Sequence, residues 1–337
     1  MATLQLDPAT LNAMRQLLQG KNRKWATPGD MAQHLDPDTI QTPALQLIDQ
    51  TLIDTTNTTD GRAIITLPPQ EGKSQRVSRR YPLWTLTHNP NTRIAIVSYS
   101  HAVARRWGRT IRDDITTHPD LGLTIRPDLS AQHEWQLAEA QGGVYTTGIG
   151  GSLTGRPVDL LIIDDPIKDR EKADSTIYRN RVWDWWTDVA STRLAPGAPV
   201  ILILTRWHQD DLAGRLLNAP DGHRWKLLNI PAQAETSNDP LGRKPGQWLQ
   251  SSRRRTTKQW EAIKQQAGSR TFNSLYQGHP SPPGGTIFNR DHWIIDPHPA
   301  WQSDNNQQRW VPSGQVFTSW DLTFKSGEHT DLSLIHI

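Results

Sequence analysis

Cysteine is absent from the 337 residues. That excludes disulfides, thiolate zinc sites and a cysteine nucleophile. No pair of the 12 histidines falls in an HExxH pattern. His133-Glu134-Trp135 starts like one but lacks the second histidine, so a protein-encoded zinc enzyme is not expected. No apolar run approaches the ~18 residues of a membrane span. The first residues lack the apolar core of a signal peptide, so a cytosolic location without a membrane partner is expected. Lysine is scarce as well: ten of the 37 basic residues are Lys, against 34 acids and a net charge of +3. Arginine therefore supplies most of the positive charge. Its planar fork suits phosphate partners, although a biased base composition of the gene would give the same count.

What is present suits a sizeable core. Hydrophobic residues make up 35%, and at ~100–200 residues per domain the length suggests two domains. Residues 1–60 read as mostly helical, with Leu11, Met14, Leu17 and Leu18 at helical spacing after the turn signal Asp7-Pro8. A second helix is expected after Pro43, with Leu45, Ile48, Leu52 and Ile53 on one face. Short apolar runs follow at 63–67, 94–99, 144–147, 160–163, 200–204 and 227–230, separated by longer helical or polar stretches. Continuous apolar strands with crossovers between them predict a buried parallel sheet with helices on both faces, an α/β fold. Near residue 232 the composition shifts. Between Leu241 and Arg270 stand eight basic residues and one acid, and Pro/Gly punctuation follows at 280–285. This basic stretch reads either as a DNA-backbone contact or as a solvated linker. A new strand is expected over 316–322, and a further apolar run begins at Leu332.

The first apolar run leads into Pro68-Pro69-Gln70-Glu71-Gly72-Lys73-Ser74 and then a helix-compatible segment. Strand, tight loop and helix N-terminus are the setting of a phosphate loop, where backbone N–H groups and the helix dipole favour phosphate. Residues 69–74 would cradle the phosphates of ATP, Lys73 would reach the β- and γ-phosphates, and the Ser74 hydroxyl would ligate Mg²⁺. The GxxxxGK[ST] pattern asks for glycine where this chain has Leu67. The run 160–163 then delivers Asp164 and Asp165 to a strand's C-terminal end, where ligands of open α/β sheets bind. Asp164 would hold the Mg²⁺ shell, and Asp165 would polarise an attacking water. The run 200–204 ends in Thr205-Arg206-Trp207-His208. There Thr205 could sense the γ-phosphate and Arg206 answer its charge, while Asp210 and Asp211 read as helix caps. Of the 15 tryptophans, Trp183, Trp185 and Trp186 cluster on an expected helix and read as packing.

With these residues the chain resembles the large subunit of tailed-phage terminases, the motor that packages double-stranded DNA into the procapsid. The resemblance runs from about residue 40 onward. It rests on Leu67-Pro68-Pro69 with Gly72-Lys73-Ser74, Ser98-Tyr99-Ser100, Gly150-Gly151, Thr154-Gly155-Arg156 and LLIIDDPIK at 160–168. It continues with Thr192-Arg193-Leu194, Thr205–His208 with Asp211-Leu212, Tyr276-Gln277, Pro280, Gly285 and Ser319-Trp320-Asp321. It implies an ATPase of the additional-strand P-loop class at 46–231 after a helical segment at 1–45. A connecting segment at 232–312 and the start of an RNase H-like nuclease at 313–337 would follow, the family's remaining acids lying further on. Lys73 and Ser74 fall on the Walker A positions and Asp164 on the Walker B carboxylate. Asp165 falls where many relatives carry a catalytic Glu, one methylene longer, and Thr205 falls on the coupling motif. Asp321 matches the first metal-binding acid of the nuclease, Asp331 is not assigned, and Thr42-Pro43 lies where relatives position adenine. Arg156, Arg193 and Arg206 each remain either the arginine finger or a structural ion-pair partner. The last residues, 332–337, also look like sequencing-adapter read-through, and the fragment as written is expected to be nuclease-dead. The implied partners are DNA, a portal protein and a small terminase subunit, in a ring docked on the procapsid in the bacterial cytoplasm. A helicase-like or repair ATPase and a non-catalytic prophage remnant are the alternatives.

Overall fold

A computed structural model describes residues 25–153 and 155–280, and beyond them the strand segments 301–304, 309–312, 318–321 and 333–336. The apolar runs become strands β1 (Arg62–Thr66), β2 (Arg93–Ser98), β5 (Gly143–Gly148), β6 (Leu160–Asp164), β7 (Val200–Leu204) and β8 (Lys226–Asn229). They lie side by side as β5-β2-β6-β7-β1-β8, each pair parallel. Because side chains alternate across a strand, neighbouring apolar residues feed opposite faces. Ile65, Ile162 and Ile203 join one core cluster with Ile48, Leu52, Tyr81 and Trp107. Ile64, Ile163 and Leu202 join the other with Val182, Trp185, Trp186 and Leu216. One set of helices comprises α1 (Pro28–Leu35), α2 (Pro43–Asn57), α3 (Tyr81–His88) and α4 (His101–Thr117). A second set comprises α5 (Arg170–Asp174), α6 (Thr176–Asp184) and α7 (Leu212–Asn218). Helices thus cover both faces, as the runs predicted.

The sheet is mixed rather than purely parallel. Strands β3 (Ile125–Ala131) and β4 (Glu134–Leu137) add an antiparallel edge next to β5. They carry no continuous apolar run because β3 is mostly solvent-facing and β4 buries only alternate residues, Trp135 and Leu137. The alternation in Glu-Trp-Gln-Leu was the available signal.

Helix α2 begins as expected after Thr42, whose hydroxyl accepts from the Leu45 amide at 3.3 Å. It buries Leu45, Ile48 and Leu52. The earlier helical reading, at Leu11–Leu18, lies outside the described residues. The helical run that leaves residue 74 opens with a π-helical stretch, Gln75–Arg80, before α3. It is pinned from both sides. Arg76 pairs with Asp49 on α2, while Arg79 and Arg80 reach Asp114 on α4 at 2.7 and 3.3 Å.

The chain divides after Pro280 into two units. Residues 232–280 belong to the first. Helix α8 (Thr257–Thr271) sinks Trp260 into the same core as Leu228, Ile230 and Leu249. Gln277 fastens the segment by donating to the Gln233 carbonyl and accepting from its amide, at 2.9 and 3.0 Å. In the second unit, β9 (Trp301–Asp304) pairs antiparallel with β10 (Arg309–Pro312). Strand β11 (Thr318–Asp321) likewise pairs with β12 (Ser333–His336). The expected strand at 316–322 and the run from Leu332 fall on this second pair. Residues 281–285 and Asp331 lie outside the described residues.

Ile162 is fully buried at the centre of β6. Ile162→Ala is expected to lower unfolding free energy by about 3 kcal/mol, read from the urea midpoint at unchanged slope. A loss under about 1 kcal/mol would remove it from the tightly packed core.

Candidate functional site

The strand order sets β6, β7 and β1 side by side, so the loops leaving their C-terminal ends converge. After β1 the chain turns through Gln70 and Gly72, both at positive φ (66° and 92°). Glycine tolerates this freely, whereas Gln70 does so at a cost. Leu67, standing where the phosphate-loop pattern asks for glycine, is buried in the core instead. Lys73 then emerges buried, its ammonium donating to Asp165 Oδ2 at 3.0 Å and to Thr205 Oγ1 at 3.2 Å. The Ser74 hydroxyl donates to Asp164 Oδ1 at 2.9 Å. The structure therefore brings Lys73, Ser74, Asp164, Asp165 and Thr205 into one cluster from three separate strand ends.

The two carboxylates differ in environment. Asp164 is 3% exposed and is held at its second oxygen by Ser78 at 2.8 Å. Burial and then the neighbouring Asp165 charge push its carboxyl up to about 6, against the opposing pull of Lys73 and the two serines. Asp165 adopts a left-handed backbone, φ 46°, a conformation Asp tolerates better than most residues. Its Oδ1 accepts from the Thr205 amide at 2.8 Å, and its carbonyl accepts from the Tyr99 amide at 3.2 Å. Ser98 lies in register with Asp164 across β2 and β6. Its buried hydroxyl has no partner among the described residues.

Arg206 is not brought to this cluster. Its guanidinium is buried against Asp211 at 2.6 Å, and Asp211 also caps α7 by accepting from the Gly214 amide at 2.9 Å. Of the two readings open for Arg206, the ion pair is the one seen here. The cap expected of Asp211 is present. Arg156 pairs with Glu134 at 3.0 Å and lies over the Tyr145 ring. Arg193 buries its Nε without a partner among the described residues. Thr154 lies outside those residues. Thr42-Pro43 starts α2. Asp321 is the last residue of β11, in the second unit. Pro69, Gln70 and Glu71 each meet Arg255, with Gln70 exposed and Glu71 buried.

The basic stretch 241–270 is neither a free linker nor a uniformly open patch. Arg243 pairs with Asp239, Arg255 with Glu71 and Arg270 with Asp174, and Lys264 donates to Gln233. Lys244, Arg253, Arg254 and Lys258 remain exposed. Ser78 and Arg255 were missed from sequence. Ser78 stands four residues past Ser74, so helical spacing was its signal. Arg255 had none.

An all-oxygen donor set of hydroxyl and carboxylate suits a hard divalent cation. Magnesium in particular takes one or two carboxylates and shares its remaining positions with phosphate and water. Among the described residues no cluster of three or more His, Asp or Glu competes for that role. No helix among them is long and apolar enough to cross a membrane.

Against known proteins, the family model described as "Terminase large subunit, T4likevirus-type, N-terminal" matches residues 64–293. No curated protein matches. Among solved structures, the chain is similar to the HK97 bacteriophage large terminase at 17% identity and TM-score 0.49, over 72% of this chain and 51% of that one. It thus spans about half of that protein's length. An ATPase-domain mutant of the Thermus phage P74-26 large terminase matches at 11% identity and TM-score 0.44, over 76% of this chain and 100% of that one. A large terminase from a thermophilic bacteriophage, solved in complex with ADP, matches at 11% identity and TM-score 0.40, over 83% of this chain and 60% of that one. The family match spans well over half the chain and takes in the phosphate loop and the paired carboxylates: this chain belongs to the terminase large subunit family.

Proposed function

We propose that this chain hydrolyses ATP and that hydrolysis drives double-stranded DNA into a procapsid. The observation that carries the reading is the convergence of Lys73 on Asp165 and Thr205 beside the Ser74–Asp164 pair. Family membership supports it. Residues 69–74 would hold the polyphosphate through backbone N–H groups. Ser74 and Asp164 would hold Mg²⁺, with Ser98 near enough in register to serve its water shell. When bound, Mg²⁺ would neutralise charge on the β- and γ-phosphates.

Lys73 occupies one oxygen of Asp165. Phosphates in the loop would draw the ammonium toward themselves and leave that oxygen to a water. Asp165 would then take the water's proton as its oxygen attacks the γ-phosphorus and the bond to the β-phosphate oxygen breaks. The Thr205 amide fixes the other carboxylate oxygen, so Thr205 would orient the base and move with it. Arg206 has the different task of holding the Thr205–Asp211 loop to α7. Residues 46–231 would carry hydrolysis, with 232–280 bracing them. Asp321 would be the first metal-binding acid of a nuclease whose strands begin near β11. DNA would be gripped by phosphate contacts, since a packaging motor must accept any sequence. Portal protein, small terminase subunit and a ring of copies in the host cytoplasm complete the proposal.

Lys73→Ala is expected to lower the ATPase kcat by about 100-fold or more in a phosphate-release assay. Equal turnover by this variant would sink the reading. Asp165→Asn should lower kcat by a similar ~100-fold while ATP still binds, measured by calorimetry. Loss of binding without a defect in single-turnover cleavage would remove Asp165 from the base role. Double-stranded DNA should stimulate turnover without strand separation. Unwinding would favour the helicase reading, and a folded chain with no turnover in any assembly would favour the remnant.

A further inference from the structure

Glu71 is out of place. A loop that receives a polyanion gains from backbone N–H groups and cations, and a carboxylate one residue before Gly72-Lys73 opposes it. The structure disposes of this charge. Glu71 is 2% exposed and turned onto a segment from the far end of the same unit. It accepts from the Ser251 hydroxyl at 2.9 Å and the Ser252 amide at 2.7 Å, and it pairs with Arg255. Arg255 also donates to Gln70 Oε1 at 3.1 Å, so one guanidinium braces the left-handed turn as well. Its position is built from below. Its guanidinium lies over the ring of buried Trp260, 5.2 Å from the centroid. Thr256 caps α8 through a reciprocal pair with Gln259. Arg254 takes a left-handed conformation, φ 59°, which turns the chain before Arg255.

We propose that Arg255 is a positioning residue whose charge cancels that of Glu71, so that nucleotide affinity depends on residues 249–256 being docked on the phosphate loop. Docked, the loop meets phosphate with Lys73 as its net charge. Undocked, Glu71 stands bare beside the phosphates and expels them. The connecting segment is then a part of the nucleotide site that acts through charge and touches no nucleotide. This rests on the ATP-binding reading above.

The test is equilibrium binding of ATP and ADP with Mg²⁺ to the full chain. Arg255→Ala should weaken ATP binding about tenfold or more, and ADP, with less charge, by a smaller factor. Glu71→Gln should tighten ATP binding, because it leaves the arginine uncompensated beside the phosphates. The double variant should return to within about threefold of the parent chain, because removing both charges removes two opposite effects on the phosphates, whereas the loss of a purely structural brace would not be reversed by Glu71→Gln. Equal losses for ATP and ADP with no rescue would make Arg255 a structural brace and overturn the proposal. If Arg255→Ala fails to fold, Glu71→Gln alone decides: tighter binding supports the proposal and weaker binding overturns it. Lys73→Ala separates the two readings. Binding by the parent chain that ignores Lys73 defeats both, whereas Lys73-dependent binding with weaker Glu71→Gln defeats only this one.

Discussion

Two adjacent carboxylates at the end of a buried strand are the constraint around which this unit is organised. Burying the Asp164 charge is expensive, and a second, half-buried carboxylate beside it adds repulsion. Asp164 and Asp165 are tolerated because Lys73, Ser74, Ser78 and the Thr205 amide each meet one of their oxygens. Those groups come from the phosphate loop, the helical run after it and the end of β7. The sheet order is what allows them to meet. With β6 beside β7, and β7 beside β1, all three strand ends open on one side. The Arg76–Asp49 pair and the contacts of Arg79 and Arg80 with Asp114 then hold the helical run where Ser74 and Ser78 face the same carboxylate.

The parts of this arrangement that were legible in sequence share a property: each is local. A continuous run such as Val200–Leu204 declares a strand buried on both faces. Gly72-Lys73-Ser74 after a strand, and Asp164-Asp165 at the end of another, declare their positions by what precedes them. Strands β3 and β4 were lost because an edge strand needs only half its residues apolar. For Arg206 two readings stayed open for a related reason. Its neighbours place it at a strand end beside Thr205, but nothing local says that its side chain turns five residues forward to Asp211 rather than into the site. Arg255 lies beyond any local signal, since its partner Glu71 is far away in sequence and close only once α8 has packed.

The basic stretch teaches the same lesson from the other side. Counting charges between Leu241 and Arg270 suggested a cationic surface. Arg243 and Arg270 instead meet Asp239 and Asp174, and Arg255 is spent on Glu71. A cation count therefore overstates surface charge wherever acids from outside the stretch pair with its cations. What remains for an outside anion is Lys244, Arg253, Arg254, Lys258 and exposed Lys264, whose ammonium donates to the neutral Gln233, a smaller set from which DNA contact would have to be built.

Strand β3 bears on how copies of this chain could meet. A free sheet edge invites another strand to continue the ladder. Here the edge carries Pro127, which has no N–H to offer, and Arg126 and Asp128 paired with each other at 2.6 Å. Such an edge resists zipping. Neighbouring molecules meeting on this side must do so through side chains rather than by a shared sheet. Side-chain contacts open and close readily, whereas a continuous ladder of backbone hydrogen bonds locks two chains together.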